Sequence, residues 1–132
     1  MTPAQRFATA RVARLATVTP AGAPHLVPIV FALAGDVLHT AVDGKPKRTR
    51  RLARLANIAA EPRVSVLADH YDEDWSALWW VRADGVCRIL DDSPAGRAAL
   101  AERYPQYRDT PLSGPFLEIT VERWTAWRAQ AH

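Results

Sequence analysis

A chain of 132 residues with 48% hydrophobic and 23% charged residues has the length and composition of one globular domain with its own core. A net charge of +3 is too small for a protein that coats nucleic acid without specificity. The single cysteine excludes an intrachain disulfide and a cysteine-based metal site. No apolar run reaches the about 18 residues of a membrane span, and arginines interrupt the N-terminal segment where a signal peptide needs an apolar core. We therefore expect a cytoplasmic protein of one domain, residues 1–132.

The first part of the chain predicts a short helix and then three strands. Thr2 and Pro3 are typical of a helix start, and we expect this helix to end near Ala13. Alternating or β-branched apolar residues separated by Pro/Gly turns then indicate strands. Because proline removes a ladder donor, Pro28 indicates an edge position, a bulge or a bend. The predicted strands cover residues 14–19, 25–33 and 37–42.

The second part predicts two helices and three more strands. Helical patterns cover residues 47–61 and 93–104, and residues 105–115 are expected to form a loop. A break near Asp84-Gly85 indicates a hairpin or a bulge. About six antiparallel strands with short helices between them predict a mainly β fold, a small closed or split β-barrel. The remaining predicted strands cover residues 63–68, 76–90 and 116–128.

The densest positive charge lies in residues 45–54. Six of these ten residues are cationic, and no acid occurs between Asp43 and Glu61. At a helix start, arginine forks and backbone N–H groups suit a phosphate or carboxylate, although a solvated helix face is the plainer alternative. Like charges on one face repel by about a few tenths of a kcal/mol per pair, which favours an anion site. The cations on that face are Lys47, Arg50, Arg51 and Arg54.

Five tryptophans form the second unusual feature. Core packing is the default role for such side chains, but they also stack on planar ligands and fill interfaces. Trp79 and Trp80 are neighbours on a predicted strand, so they should point to opposite faces. One of the two is therefore expected to meet a partner, a ligand or solvent.

The remaining chemistry is sparse. The acidic loop at residues 69–74 lacks the spacing of a calcium site, and the histidines share no metal-ligand spacing, so no metal is predicted. No local signature groups a nucleophile with a base, and Cys87 is expected to be a buried small side chain. No aromatics interleave the cations of the basic stretch, which argues against nucleic acid. No catalytic acid or base is identified.

Several short runs, in this order and spacing, resemble a known family. They are HLVPIVF (25–31), LHTAVDGKPK (38–47), RLARLANI (51–58), EPRVSVL (61–67), HYDEDW (70–75) and LWWVR (78–82). The chain resembles the pyridoxamine-phosphate-oxidase-like (PPOX class) split β-barrels, also called FMN-binding split barrels. It is most similar to their actinobacterial branch, which uses the deazaflavin coenzyme F-420.

The resemblance implies a homodimer with cofactor at the subunit interface and no membrane or nucleic-acid partner. It implies hydride transfer between reduced coenzyme F-420 and an unsaturated or quinone-like small-molecule acceptor. FMN is the alternative cofactor, because the same basic stretch can bind the phosphate of either molecule. A non-catalytic cofactor-binding module is the alternative role. F-420 is favoured over FMN because Arg48 and Arg54 supply extra cations for its oligoglutamate tail.

The resemblance also assigns the cofactor-binding residues. The phosphate would lie on Lys47 and Arg50, with Lys45, Thr49 and Arg51 as neighbours. Trp79 and Trp80 would come from the strand nearest the other subunit. The tricyclic ring would lie along the second and third strands, near Val27, Pro28, Thr40, Ala41 and Val42.

Overall fold

The computed structural model describes residues 1–42 and 48–130, with the backbone alone for residues 48–52. Its centre is a seven-stranded antiparallel sheet in the order β2-β1-β5-β6-β7-β4-β3. The strands are β1 (Ala13–Val18), β2 (Pro24–Ile29), β3 (Ala32–Ala34), β4 (Val37–Ala41), β5 (Arg63–His70), β6 (Trp79–Leu90) and β7 (Phe116–Arg128). The helices are α1 (Pro3–Ala8), α2 (Arg48–Ala60), α3 (Pro94–Arg103) and α4 (Gln106–Asp109), with a 3₁₀ turn at Trp75–Ala77.

The sheet must curl into a barrel because its two edge strands are consecutive in the chain. β2 and β3 lie at opposite edges, yet only Val30 and Phe31 separate Ile29 from Ala32. Three peptide steps span at most about 10 Å, so the edges are drawn together. The mainly β, split-barrel prediction is confirmed. There are seven strands rather than about six because the predicted strand 25–33 divides at this link.

The edge position of β2 explains its prolines. Pro24 and Pro28 pair with β1 on one side only, opposite Val18 and Arg14. A residue without an N–H group is tolerated where no second ladder needs a donor. Of the edge position, bulge or bend that Pro28 indicated, the structure shows the edge position.

The core lies inside the curl and is covered at one end by α1. Thr2 caps the start of α1, as the sequence predicts, and the cap is a reciprocal pair of hydrogen bonds with Gln5. Phe7 is fully buried, with ring centroids 4.9 Å from Phe31 and 5.3 Å from Trp124. α1 ends at Ala8 rather than near Ala13, because the ladder with β2 begins at Ala13.

The link between the two edges is held by the C-terminal end of α3. Arg103 donates to the carbonyl oxygen of Phe31 at 2.8 Å and to that of Ala10, and its guanidinium lies 4.6 Å from the Phe31 ring centroid. The hydroxyl of Tyr104 accepts from the Phe31 N–H at 3.2 Å. Burial lowers the pKa of Arg103 from its ordinary value. These bonds satisfy backbone groups that no strand ladder reaches.

The predicted break at Asp84-Gly85 is a bulge within one continuous strand, β6. Asp84 pairs with Arg123 and Gly85 pairs with Val121, so Glu122 is the extra residue, on β7. The N–H of Val121 donates instead to the carbonyl oxygen of Asp36 at 2.8 Å.

The segment expected to be a loop at residues 105–115 contains α4. Four residues are too few for a periodic pattern, so this helix had no sequence signal. Arg108 ties it to α3 by donating to the carbonyl oxygens of Ala101 and Glu102. None of the described helices is long and apolar enough to cross a membrane.

Candidate functional site

The basic stretch lies only partly within the described residues. Lys45 and Lys47 fall outside them, and so do the side chains of Thr49, Arg50 and Arg51, whose backbone belongs to α2. The phosphate contacts expected of these five residues therefore stay a prediction. The stretch follows β4 in the chain, and from Arg48 onward it belongs to α2, which is the order of strand and helix that the sequence indicates.

Arg54 is the member of the cationic face whose side chain is described, and this side chain packs against the protein. Arg54 is half-buried, burial lowers the pKa of its guanidinium, and its Nε is buried without a hydrogen-bond partner. A buried donor without a partner costs about 1–3 kcal/mol. Its position therefore suits a ligand that can accept a hydrogen bond.

Polar side chains surround the same part of the barrel interior. Asn57, one turn along α2 from Arg54, donates from Nδ2 to Oγ1 of Thr17 at 3.2 Å, and both residues are buried. His25 lies directly opposite Thr17 in the β1–β2 ladder, and its Nδ1 is buried without a partner. The two orphaned buried side-chain atoms found among the described residues belong to His25, which faces Thr17 in the ladder, and to Arg54, one turn before Asn57 on α2. We call Thr17, His25, Arg54 and Asn57 the inner polar cluster.

The residues expected to lie along the ring are mostly part of the core. Thr40 is buried and donates its hydroxyl to the carbonyl oxygen of Val30 at 2.7 Å, and Val42 is also buried. Val27 and Ala41 are half-buried against the core, and Pro28 is exposed on the edge strand. These placements do not test a contact with the ring, which stays a prediction for all five residues.

A cavity of about 790 Å³ lies on the outer face of the sheet. Trp79 and Trp80 both border it, although strand alternation turns Trp79 toward the core and Trp80 outward, as predicted. Its floor is largely apolar, and Leu26 remains 67% exposed. The other lining residues are Arg14, Ala16, Ser65, Leu67, Asp69, His70, Tyr71, Leu78, Arg82 and Trp127.

Asp84 organises the charges beside this cavity. It accepts from the Ser65 hydroxyl at 2.6 Å, from Arg82 Nε at 3.1 Å and from Arg123 at 3.1 Å. Burial alone would raise the pKa of Asp84. The hydrogen bonds from Ser65 and Arg123 and the charge of Arg82 outweigh the effect of burial, so the pKa is lowered. Asp84 is thus held as a carboxylate and is a poor general acid.

The acidic loop borders the cavity without forming a metal site. Asp72 Oδ2 lies 3.7 Å from His70 Nε2, and the His70 and Trp79 rings stack with centroids 6.3 Å apart. Asp74 caps the 3₁₀ turn by accepting from Ser76. Among the described residues, no group of His, Cys, Asp and Glu is placed to hold a metal ion.

Cys87 is a buried small side chain, as predicted. Burial raises the pKa of its thiol to about 12, so the thiolate that would act as nucleophile is not formed near neutral pH.

The sequence did not identify His25 as a site residue, and it assigned Arg54 only to the oligoglutamate tail of the cofactor. A signal was present, because Thr17 and His25 interrupt two apolar strands and Asn57 lies three residues after Arg54 on α2. The cavity was harder to find, because its lining comes from strands far apart in sequence.

A model of the family described as pyridoxamine 5'-phosphate oxidase matches residues 3–128, nearly the whole chain. No curated protein matches the sequence. Among solved structures, the conserved hypothetical protein Rv2991 of Mycobacterium tuberculosis is similar, with 22% identity over 95% of this chain and 81% of that chain and a TM-score of 0.71.

Two further structures are similar at the level of the fold. A FAD-binding protein of Mesorhizobium loti has 22% identity over 92% of this chain and 88% of its own, with a TM-score of 0.68. HutZ, the haem storage protein of Vibrio cholerae, has 18% identity over 94% of this chain and 90% of its own, with a TM-score of 0.69. At these identities the likeness establishes a shared fold, on which different cofactors are held.

Proposed function

Because this chain belongs to the pyridoxamine 5'-phosphate oxidase family, we propose that it is an oxidoreductase that uses a flavin-type cofactor, the deazaflavin coenzyme F-420. The reaction would be hydride transfer between the reduced cofactor and an unsaturated or quinone-like small molecule. The observation that carries the proposal is the half-buried, unpartnered Arg54 at the end of the basic stretch. FMN is the alternative cofactor, and a binding module without turnover is the alternative role.

The inner polar cluster fits the anionic part of such a cofactor. Arg54 offers a guanidinium fork, which matches a phosphate in two hydrogen bonds, and His25 offers a second polar atom without a partner. Lys47 and Arg50 are the further phosphate contacts that we expect, with the rest of the stretch facing additional anionic groups. The bound cofactor would supply the hydride, and these residues would bind and orient it.

Support for F-420 over FMN comes from the number of cations. FMN brings one phosphate, whereas F-420 adds an oligoglutamate tail that several arginines and lysines can neutralise. Residues 45–54 carry six cations without an acid, more than one phosphate needs.

A second candidate function, haem binding, is favoured by His70. This histidine borders the outer cavity beside the Trp79 ring, and Asp72 lies within reach of its Nε2. An imidazole oriented by a carboxylate is a common metal-ligand arrangement. The similarity to the haem storage protein HutZ agrees with this candidate at the level of the fold.

One experiment separates these functions. The purified protein is incubated with F-420, FMN, FAD or haemin, desalted, and examined by absorbance. We expect F-420 to be retained in preference to both flavins, and the reduced F-420 complex to be oxidised by a quinone. Equal or better retention of FMN would contradict the F-420 assignment. Retention of haemin with a Soret band that His70→Ala abolishes would favour the second candidate.

We further propose that a second copy of the chain covers the outer face of the sheet. Leu26, Leu67, Trp80 and Trp127 form an apolar surface that an isolated domain seldom leaves in water. Charged residues at its edge, among them the Arg14–Asp69 pair at 3.6 Å, resemble the polar rim of an interface.

Sedimentation velocity should therefore detect a dimer that Leu26→Asp dissociates. Burying an unpaired carboxylate in an apolar interface is costly, so the variant should be monomeric at micromolar concentration. Val12→Asp is the control, since Val12 is an apolar residue, 38% exposed, that does not line the outer cavity. A monomeric wild type, or equal dissociation by both variants, would contradict the proposal.

A further inference from the structure

A second, smaller pocket lies where the ends of β6 and β7 meet α1. Its volume is about 330 Å³, which suits a small molecule of benzoate size. The N–H of Ala129 donates to the carbonyl oxygen of Leu78 at 2.9 Å, which continues the β6–β7 pairing past the last strand residue and forms one wall. The pocket is lined by Arg6, Ser76, Ala77, Leu78, Trp79, Arg128 and Ala129.

The charge in this pocket is positive and uncompensated by any described acid. Arg6 and Arg128 both line it, and neither makes an ion pair or a side-chain hydrogen bond with another described residue. Most other described arginines do have partners. Those in ion pairs are Arg14, Arg63, Arg82, Arg88, Arg97 and Arg123.

The remaining polar group of the pocket does not neutralise these charges. The Ser76 hydroxyl donates to Asp74 at 2.7 Å, and Asp74 does not line the pocket. Arg6 and Arg128 bring two positive charges to the lining of one cavity, and an anion bound there would offset both charges. The pocket therefore favours an anionic group.

The wall formed by Trp79 adds a preference for a planar apolar body. Trp79 is half-buried, and it borders both this pocket and the outer cavity. An indole face stacks on aromatic rings, whereas guanidinium forks bind carboxylates in two parallel hydrogen bonds.

We propose that this pocket is a binding site for a small aromatic carboxylate, with Arg6 and Arg128 on the carboxylate and Trp79 on the ring. The pocket shares no residue with the inner polar cluster or the basic stretch, although Trp79 is also a predicted cofactor contact. Arg6 and Arg128 belong to this pocket and to neither of those groups, so their variants separate this site from the cofactor assignment.

The test uses benzoate as the probe on the full chain, with binding measured by isothermal titration calorimetry and by Trp fluorescence. Benzamide keeps the ring and removes the charge, acetate keeps the charge and removes the ring, and inorganic phosphate tests a plain anion site. We expect benzoate to bind at least about tenfold more tightly than benzamide, because a charged hydrogen bond is worth about that factor. Benzoate should also bind more tightly than acetate and phosphate, because both lack the ring that contacts Trp79.

Variants identify the residues that carry the binding. Arg6→Gln and Arg128→Gln should each weaken benzoate binding about tenfold, and Trp79→Leu should remove the preference for benzoate over acetate. Arg88→Gln is the matched control, since Arg88 is an exposed arginine in a pair with Glu118 away from the pocket. Circular dichroism establishes that each variant is folded, and Arg128→Gln, at an exposed strand end, keeps the test available if Arg6→Gln is unstable.

Three results would overturn the proposal. Benzamide or phosphate could bind as tightly as benzoate, which would remove the carboxylate or the aromatic preference. The Arg6→Gln/Arg128→Gln double variant could retain wild-type affinity. Arg88→Gln could weaken binding as much as the pocket variants, which would indicate a general effect of net charge.

Discussion

Replacing Arg54 by glutamine should weaken binding of the F-420 cofactor by about 10- to 150-fold, the value of one charge-assisted hydrogen bond. Arg54 is expected to be the innermost phosphate contact, because its guanidinium is already half-buried and its Nε has no partner. Fluorescence titration of F-420 into wild-type and variant protein measures the change. Without cofactor, the Arg54→Gln variant should be as stable as the wild type or more so, since a desolvated charge is removed.

The controls for this result come from the same chain. Arg63→Gln removes an arginine that is exposed and paired with Glu61, so cofactor affinity should be unchanged. Lys47→Ala and Arg50→Ala should each weaken binding by about 1.5–3 kcal/mol if they hold the phosphate as predicted. If Arg54→Gln keeps wild-type affinity while Lys47→Ala and Arg50→Ala lose it, the phosphate binds at the start of the basic stretch and not at Arg54.

Replacing Gly85 by alanine should lower the free energy of unfolding by about 3 kcal/mol or more, the range of severe overpacking. An added Cβ would lie well inside van der Waals contact of the Thr120 carbonyl oxygen, 3.0 Å from its carbonyl carbon and 3.1 Å from the Val121 Cα. These are backbone atoms of the neighbouring strand, so no side chain can rotate away. The β6–β7 pairing would have to open at the bulge, and urea denaturation measures the loss.

Gly22→Ala is the matched control for Gly85→Ala. Gly22 lies in the turn between β1 and β2 with a φ of 84°, and an added Cβ there meets nothing within 4 Å. Only the left-handed backbone conformation is penalised, at about 1 kcal/mol. If Gly85→Ala were no more destabilising than Gly22→Ala, the close approach of β6 and β7 would be wrong.

Much of the fold could be predicted because the strands carry local signals. Pro28 indicated an edge position, a bulge or a bend, and the structure shows the edge position. The Asp84-Gly85 break indicated a hairpin or a bulge, and the structure shows the bulge. The division of residues 25–33 into two edge strands could not be predicted, because the apolar pattern continues through Val30 and Phe31. Whether that link bends depends on the partners of Phe31, which are Arg103 and Tyr104, far along the chain.

The candidate site, like the fold, could be predicted only where the signal is local in the sequence. The composition of residues 45–54 is local, so an anion-binding stretch could be predicted. Which of its cations turns inward depends on how α2 lies over β1, and the Asn57–Thr17 hydrogen bond fixes that orientation. The outer cavity requires the strand order β2-β1-β5-β6-β7, which no local pattern contains.

The strand order also constrains how the sheet can assemble. The β3–β4 hairpin joins the other strands of the sheet through β7, which lies about 80 residues further along the chain. The link at Phe31 likewise waits for Arg103, 72 residues away. Closure of the barrel therefore depends on contacts of long sequence separation, which are slow to form compared with local ones.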